Sequence, residues 1–268
     1  MKLKLLLLYL VWNSSFAIEP KKDYIATPKD YDIDYKEIMI KEDNQEICVW
    51  VSSPNIRSKK KVTEKTIILV YGDYGNMSYY ISYIKFYTEL GYNVVSFDYR
   101  GFGKSSNFLI EKDMLFYNEF ASDLRGVILY CKNNLHLRSI GLVSLSMGTI
   151  LTAIAVQGFD INFIIAEGCV YNYLDIIDRL KKYKIKDSYV PLNSDKLPGL
   201  WKNITSKMLI FVADLDTITN LEDAQNIVLQ DPYNRSFDIY NGGHLTILNS
   251  EDKLLFYKQK INHFLKND

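Results

Sequence analysis

A serine at position 146 has neighbours that are typical of a reactive nucleophile. It is the centre of the segment SLSMG (residues 144–148), which follows an apolar run and precedes a helical pattern of small residues. A sharp turn between a strand and a helix exposes the central hydroxyl, and small residues are needed two positions before and after it because the two elements pack closely there. Ser144 and Gly148 meet that need. Taken alone, the segment is equally compatible with an ordinary helix N-cap.

A nucleophilic serine needs a base that removes its proton. The chain has three histidines, His136, His244 and His263. His136 lies near the end of a helical pattern and His263 lies within the last one, so both are expected on the surface. His244 follows two glycines in a loop between a strand pattern and the last helix, and glycines allow close approach of the backbone. His244 is therefore the candidate base.

The base in turn needs a carboxylate that fixes its tautomer and stabilises its charged form. Asp214 and Asp216 directly follow the apolar run Met208 to Val212. Either could serve as that carboxylate, and either could instead form an Asx turn or a cap. A hydroxyl, a carboxylate and an imidazole together would carry out nucleophilic acyl transfer. The chain order serine, aspartate, histidine differs from the orders found in chymotrypsin and subtilisin.

Alternating strand and helix patterns would bring these side chains to one edge of a sheet. Six apolar runs between residues 66 and 239 are separated by helical patterns, which predicts a mostly parallel sheet with helices on both faces. Two earlier runs, Tyr35 to Ile40 and Glu46 to Val51, predict an antiparallel hairpin. The predicted fold class is therefore α/β with an eight-stranded sheet. In such a sheet the ligand site lies at the carboxyl ends of the strands.

One stretch, residues 171–206, departs from this alternation. It is too long for a tight connection between two strands, and it predicts a small cap over the carboxyl edge of the sheet. Tyr171, Tyr173 and Trp201 in this stretch are candidates for an apolar substrate pocket, and they could equally anchor the cap on the core. Because the chain has neither internal repeats nor a low-complexity linker, residues 18–268 are predicted to form a single domain.

The N-terminus has the pattern of an export signal. A basic start, Met1 to Lys4, precedes the apolar run Leu5 to Val11 and a small-x-small cleavage pattern that ends at Ala17. The apolar run is shorter than the roughly 20 residues of a spanning helix. We therefore expect residues 1–17 to be a cleaved signal peptide, and the mature protein to be periplasmic or secreted without a stable membrane span.

Composition narrows the choice of partners. The chain has 32 basic and 32 acidic residues and no long block of one sign, which argues against nucleic acid or an anionic membrane surface as the main partner. Cys48, Cys131 and Cys169 lack the spacing of a metal site and are expected to be small buried residues. The sequence implies no metal and no organic cofactor.

Two further loops carry a family resemblance. Residues 98–105, DYRGFGKS, closely match the Asp-x-Arg-Gly-x-Gly-x-Ser loop of the α/β-hydrolases. Residues 70–76, VYGDYGN, resemble the His-Gly oxyanion loop of that family, with Tyr71 where histidine is common. Together with the SLSMG turn and the residue order, these loops make the chain from about Tyr35 to Leu265 resemble an α/β-hydrolase with a small cap. It is similar to α/β-hydrolase-domain esterases, thioesterases and serine-aminopeptidase-like members.

The resemblance implies hydrolysis through a serine acyl-enzyme. Residues 211–216 are similar to the family's acid segment, in which the last aspartate is catalytic, and this selects Asp216 over Asp214. Ser146, Asp216 and His244 would then form a catalytic triad that cleaves a small-molecule carboxylic ester or thioester. A serine-aminopeptidase-like activity is the alternative, and a non-catalytic binding protein with the same fold is a third interpretation.

The resemblance also implies roles for the loops around the triad. The backbone N–H groups of Asp73 and Met147 would form the oxyanion hole. The Asp73 carboxylate is expected to point to solvent, since it would otherwise repel the developing oxyanion. Tyr71 joins the candidates for substrate contact, and Asp98 and Arg100 are expected to brace the loops.

Overall fold

The computed structural model describes residues 17–54, 65–137, 139–182, 188–192 and 194–266. The predicted signal peptide therefore lies outside the described residues, except for Ala17. Within the described part, no helix is long and apolar enough to cross a membrane. The strands in this part are β1 (Glu19–Pro20), β2 (Tyr35–Glu42), β3 (Gln45–Ser52), β4 (Thr66–Val70), β5 (Tyr74–Gly75), β6 (Asn93–Phe97), β7 (Ile140–Leu145), β8 (Phe163–Glu167), β9 (Lys207–Ala213) and β10 (Arg235–Tyr240).

Eight of these strands form one sheet in the order β10-β9-β8-β7-β4-β6-β3-β2. Neighbouring strands from β10 to β6 are parallel, whereas β3 is antiparallel to both β6 and β2. Every residue of β4, β7 and β8 is buried, as expected for central strands that are covered on both faces. The predicted α/β fold with an eight-stranded, mostly parallel sheet is confirmed.

The helices of the described part are α1 (Ile81–Glu89), α2 (Asn118–Asn133), α3 (Met147–Ala155), α4 (Tyr173–Lys182), α5 (Leu197–Lys202), α6 (Leu221–Leu229) and α7 (Glu251–Lys266). They pack against the sheet in two groups. The chain moves in one direction along the sheet from β4 to β6 and in the other from β6 to β7, so right-handed crossovers place α1 and α2 on opposite faces. On the α1 side, the hydroxyls of Tyr87 and Tyr257 are 2.8 Å apart and join α1 to α7. On the other side, α3 contacts α2 and α5, and α5 contacts α6.

The hairpin predicted near the N-terminus is present. β2 pairs with β3 up to Glu42 opposite Gln45, which leaves Asp43 and Asn44 as a two-residue turn. Their φ angles are 47° and 61°, as a type I′ turn requires, and that turn matches the twist of the paired strands.

A short strand that the sequence pattern does not indicate begins the described chain. β1 pairs with β5 in parallel, with Glu19 opposite Tyr74. Just before it, the backbone N–H groups of Ala17 and Ile18 both donate to the carbonyl oxygen of Lys112, at 2.7 and 3.0 Å. Two residues carry no period that could be recognised in a sequence. The pairing fixes this segment beside the loop that follows β4.

The three cysteines, Cys48, Cys131 and Cys169, are buried and form no disulfide. Burial raises the pKa of the Cys48 and Cys131 thiols to about 12, so both are neutral near pH 7. They behave as the small buried residues that the sequence predicts.

Candidate active site

Ser146 lies on a strained turn between β7 and α3. Its φ of 51° and ψ of −120° fall outside the regions that a non-glycine residue usually adopts, and such strain needs support from its surroundings. The backbone N–H of Ser146 donates to the carbonyl oxygen of Glu167 at 2.9 Å. On the other side, the backbone N–H and the hydroxyl of Thr149 both donate to the Ser146 carbonyl oxygen, at 2.8 and 2.7 Å. The turn therefore has the backbone of a nucleophile elbow.

Close packing explains the small residues at positions 144 and 148. A Cβ atom added to Gly148 would lie 2.2 Å from the Val70 carbonyl oxygen and 2.7 Å from that of Tyr71. The hydroxyl of Ser144 is buried and lies 2.7 Å from that of Thr152 in α3. The start of α3 thus rests directly on the backbone at the end of β4.

His244 is hydrogen-bonded to both Ser146 and Asp216. Its Nε2 is 2.9 Å from Ser146 Oγ, and its Nδ1 is 2.7 Å from Asp216 Oδ2. The Asp216 side chain is 2% exposed and that of His244 is 19% exposed. Asp216 Oδ1 accepts hydrogen bonds from the backbone N–H groups of Ile218 and Thr219, at 2.8 and 3.1 Å. This geometry allows Nε2 to accept the Ser146 proton while Nδ1–H donates to the carboxylate.

Asp214, the other aspartate of this segment, has a different role. Its Oδ1 accepts from the backbone N–H of Gly242 at 2.9 Å and its Oδ2 accepts from Asn241 Nδ2 at 3.0 Å. Both partners belong to the loop that leads to His244. Asp214 therefore braces that loop, and Asp216 is the aspartate that contacts the imidazole.

The ionisation of the pair suits proton transfer. Burial acts to lower the pKa of His244, but the carboxylate of Asp216 raises it above its ordinary value. Burial acts to raise the pKa of Asp216, but His244 and the hydrogen bonds to the carboxylate lower it below its ordinary value. Asp216 is thus ionised throughout the range in which His244 titrates.

The loop after β4 lies directly against Ser146. A Cβ atom added to Gly72 would be 3.5 Å from the Ser146 Cβ, and Asp73 and Met147 both line the cavity at Ser146. The expectation that the Asp73 carboxyl points to solvent is wrong, since the residue is half-buried and lines that cavity. Burial raises the pKa of Asp73, whereas its own backbone N–H and His244 act to lower it. The N–H that was predicted to hold an oxyanion therefore interacts with the Asp73 carboxylate.

Tyr71 does not reach the cavity. Its side chain is fully buried among aromatic rings, 4.6 Å from Tyr99 and 4.9 Å from Tyr80 between ring centroids. Its hydroxyl donates to Asp98 Oδ1 at 3.4 Å, and the same oxygen accepts the backbone N–H of Met77 at 2.9 Å. The prediction that Tyr71 contacts substrate is thus not supported by the structure, whereas Asp98 braces the loop as expected.

Arg100 braces the neighbouring loop through Asp123 in α2. Its Nε and Nη2 donate to Asp123 Oδ1, at 2.8 and 2.6 Å. The Arg100 backbone N–H donates to Oδ2 of the same carboxylate at 2.8 Å. The bracing role expected for Arg100 is therefore visible in its contacts.

The aromatic residues predicted to contact substrate pack against neighbouring elements and are absent from the described residues that line the cavity. The Tyr173 ring stacks on Phe116 with centroids 5.0 Å apart. Trp201 is fully buried, and its Nε1 donates to the Val170 carbonyl oxygen at 3.1 Å. The Tyr171 hydroxyl accepts from Gln230 Nε2 at 3.3 Å. The side chains predicted to contact substrate at these three positions therefore pack against the rest of the fold, in line with the anchoring role that the sequence left open.

Aliphatic residues take the place of these aromatics around Ser146. They come from α3 and α4, from the loop between β6 and α2, from the loops after β8 and β9, and from the first described residue. The sequence pattern places Ala17 at the end of the predicted signal peptide and not in the cavity, and it indicates the α4 side chains only as the apolar face of a helix. The apolar lining consists of Ala17, Leu115, Met147, Ile150, Val170, Ile176, Leu180 and Ile218.

Comparison with models of protein families assigns the chain to one family. A model described as acyl transferase matches residues 33–222, more than two thirds of the chain. The chain belongs to this acyl transferase family. The region that matches the acyl transferase model contains Ser146 and Asp216 and ends before His244. A search of curated proteins found no significant match.

Solved structures similar to this acyl transferase family member share its fold. An esterase of Pyrococcus furiosus aligns with a TM-score of 0.73 at 20% identity, over 93% of this chain and 99% of that one. A serine hydrolase without a lid from Xanthomonas campestris has a TM-score of 0.62 at 15% identity, over 92% and 97%. The acylaminoacyl peptidase of Pyrococcus horikoshii has a TM-score of 0.63 at 18% identity, over 87% of this chain and 41% of that one. The α/β-hydrolase fold predicted by resemblance is confirmed.

Proposed function

We propose that this protein transfers an acyl group from a carboxylic ester or thioester to water through an acyl-enzyme on Ser146. The observation that carries the proposal is the continuous hydrogen-bonded series from Ser146 through His244 to Asp216, at 2.9 and 2.7 Å, on a strained elbow. Membership of the acyl transferase family and likeness in fold to an esterase support the same chemistry.

The proposed reaction has two halves. His244 Nε2 takes the proton of Ser146 as the hydroxyl oxygen attacks the substrate carbonyl carbon, and the imidazolium then gives that proton to the leaving group. In the second half His244 removes a proton from water, which attacks the acyl-enzyme carbonyl carbon; the bond to Ser146 Oγ then breaks, His244 returns the proton to that oxygen, and the acid is released. Asp216 stabilises the imidazolium in both halves. The backbone N–H of Met147, at the start of α3, would hold the oxyanion. The Asp73 N–H would become the second donor only by exchanging its own carboxylate for the substrate oxygen.

The cavity favours a neutral acyl group. Its lining is mainly aliphatic, and Asp73 is the charged residue among the described residues that form it. An anionic acyl chain would meet that carboxylate without a cationic partner in the lining. We therefore place esters and thioesters of uncharged acids first.

Cleavage of an aminoacyl amide is the second candidate. The Asp73 carboxyl lies in the cavity with Ser146, where it could bind a substrate ammonium group. The acylaminoacyl peptidase shares the fold. This candidate predicts a preference for substrates with a free amino group next to the scissile carbonyl.

Labelling by a fluorophosphonate probe tests whether the site is catalytic. The folded protein is expected to be labelled covalently, and Ser146→Ala is expected to abolish labelling because the attacking oxygen is gone. Ser144→Ala is the matched control, since its hydroxyl points to Thr152 and not to His244. Intact folded protein that resists the probe would favour the non-catalytic interpretation.

The acyl donor is tested with a substrate panel. p-Nitrophenyl esters and acyl thioesters of rising chain length are compared with aminoacyl amides by kcat/KM. We expect esters and thioesters to be cleaved faster. Faster cleavage of aminoacyl amides, lost in Asp73→Asn, would instead establish the second candidate.

We also propose that the protein is exported. The support is the basic and apolar pattern of residues 1–17. Mass spectrometry of the chain isolated from its native host is expected to show an N-terminus at Ile18. A native chain that retains residues 5–11 would contradict this proposal.

A further inference from the structure

Glu167 is a buried carboxyl group beside the site that the proposed mechanism does not use. It ends β8, is 2% exposed, and its carbonyl oxygen supports the Ser146 turn. Burial of a carboxyl group is unfavourable unless hydrogen bonds replace its water. The partners of this side chain therefore indicate its role.

Three donors surround the Glu167 carboxyl. The hydroxyl of Tyr83 in α1 donates to Oε2 and that of Tyr240 at the end of β10 donates to Oε1, both at 2.5 Å. The backbone N–H of Ile247 donates to Oε1 at 3.3 Å. A carboxylate can accept all three hydrogen bonds at once. Burial raises the pKa of the Glu167 carboxyl above its ordinary value, and the three hydrogen bonds act to lower it and so favour the ionised form.

Two of these donors hold the loop that carries His244. Tyr240 precedes the loop and Ile247 lies within it, three residues after His244. The Tyr240 hydroxyl oxygen also accepts the backbone N–H of Thr246 at 3.2 Å. Glu167 is thus connected to the chain on both sides of His244, whereas Tyr83 belongs to a helix outside the loop.

The charge of Glu167 also acts on the imidazole. Burial acts to lower the pKa of His244, and the carboxylates of Asp216, Asp73 and Glu167 act, in that order, to raise it. Apart from His244, the titratable groups of the described residues that face Glu167 are tyrosine hydroxyls. Among all these groups, only His244 can carry a positive charge. The hydroxyls are those of Tyr83 and Tyr87 from α1, Tyr240 from β10 and Tyr257 from α7.

We propose that Glu167 is a positioning residue for His244. Its carboxylate holds the loop of residues 243–247 through Tyr240 and Ile247, and its negative charge stabilises the imidazolium that forms when Ser146 loses its proton. The proposal rests on the proposed function for the role of His244 as a base. The ionisation of His244 itself can be measured without any substrate.

NMR titration of the full-length chain with ¹⁵N-labelled histidine is the test. The three histidines give separate signals, and the loss of one in His244→Asn identifies the relevant imidazole. Glu167→Gln keeps the size of the side chain and removes its charge. We expect it to lower the pKa of His244 by about half a unit to one unit, less than the 1–3 units of a directly bonded charge.

The pH dependence of kcat/KM should move with the pKa of His244. The base must be neutral, so kcat/KM rises with pH through the pKa of His244, and a lower pKa moves that rise to lower pH. Tyr83→Phe is the control, because it removes a hydroxyl from Glu167 without touching the loop. It is expected to change the His244 pKa less than Glu167→Gln does, because the Glu167 carboxylate keeps the hydrogen bonds from Tyr240 and Ile247.

An unchanged His244 pKa in folded Glu167→Gln overturns the proposal. If that variant does not fold, Tyr240→Phe and Tyr83→Phe decide. Each removes one hydrogen bond to Glu167, and of the two hydroxyls only that of Tyr240 also bonds the loop. A fall in kcat/KM of about tenfold confined to Tyr240→Phe supports positioning, and equal rates in the two variants exclude it. A wild-type protein that shows the raised His244 pKa but hydrolyses nothing contradicts the proposed function and not this inference.

Discussion

Asp216→Asn is expected to lower kcat about 10⁴-fold while the protein remains folded. Asparagine can still accept the backbone N–H groups of Ile218 and Thr219 at the position of Oδ1. Its amide nitrogen, however, would replace Oδ2, which lies 2.7 Å from His244 Nδ1. Nδ1 would then have to accept a hydrogen bond from that amide, and Nε2 would carry the imidazole proton. An imidazole in that tautomer cannot act as a base for Ser146.

Asp214→Asn is the matched control for this prediction. Asp214 stands two residues away, has the same side chain, and accepts hydrogen bonds from Asn241 and Gly242, so its replacement loosens the loop without changing the tautomer of His244. We expect kcat to fall by no more than about tenfold, the cost of imperfect positioning. Steady-state kinetics on the best ester of the panel, with circular dichroism as a check on folding, gives the comparison. Equal losses in the two variants would show that His244 is not oriented by Asp216.

The sheet could be predicted from the sequence because its strands have distinct patterns. Residues 67–70 of β4 and 140–143 of β7 include no polar side chain because both faces of these strands are buried, and the polar turn at Asp43 and Asn44 separates two short strand patterns. β1 could not be predicted in this way. A pair of residues such as Glu19 and Pro20 has no period, and only its partner β5 makes it a strand.

The candidate site was predictable where chemistry restricts the residue type. Few residue types can act as nucleophile or base, and His244 is the only histidine that follows a strand of the sheet. The lining of the cavity was not predictable by the same reasoning. Tyr173 and Trp201 are as suitable for packing a cap as for contacting an acyl group, and the choice depends on where α4 and α5 settle on the core. The orientation of Asp73 likewise depends on tertiary contacts that no local pattern encodes.

Gly148→Ala is expected to destabilise the fold by about 3 kcal/mol, at the upper end of the cost of overpacking. The added methyl group would lie 2.2 Å from the Val70 carbonyl oxygen and 2.7 Å from that of Tyr71. Both neighbours are backbone atoms of a central strand and the loop after it, so neither can rotate away as a side chain would. Relief requires α3 to move away from β4. That movement would displace the Met147 N–H from the oxyanion, so the rate of fluorophosphonate labelling should fall together with stability.

Gly199→Ala is the control for this prediction. It measures the general effect of replacing a glycine in a helix without the close contact found at Gly148. Gly199 lies in α5, and nothing lies within 4 Å of a Cβ atom added there. Alanine at this position is expected to stabilise the protein by about 0.5–1 kcal/mol, because glycine loses more backbone entropy on folding. Urea denaturation of both variants gives the two free energies of unfolding. A Gly148→Ala protein with a wild-type midpoint would mean that α3 can shift at little cost, and the elbow at Ser146 would then be far less rigid than its contacts with β4 imply.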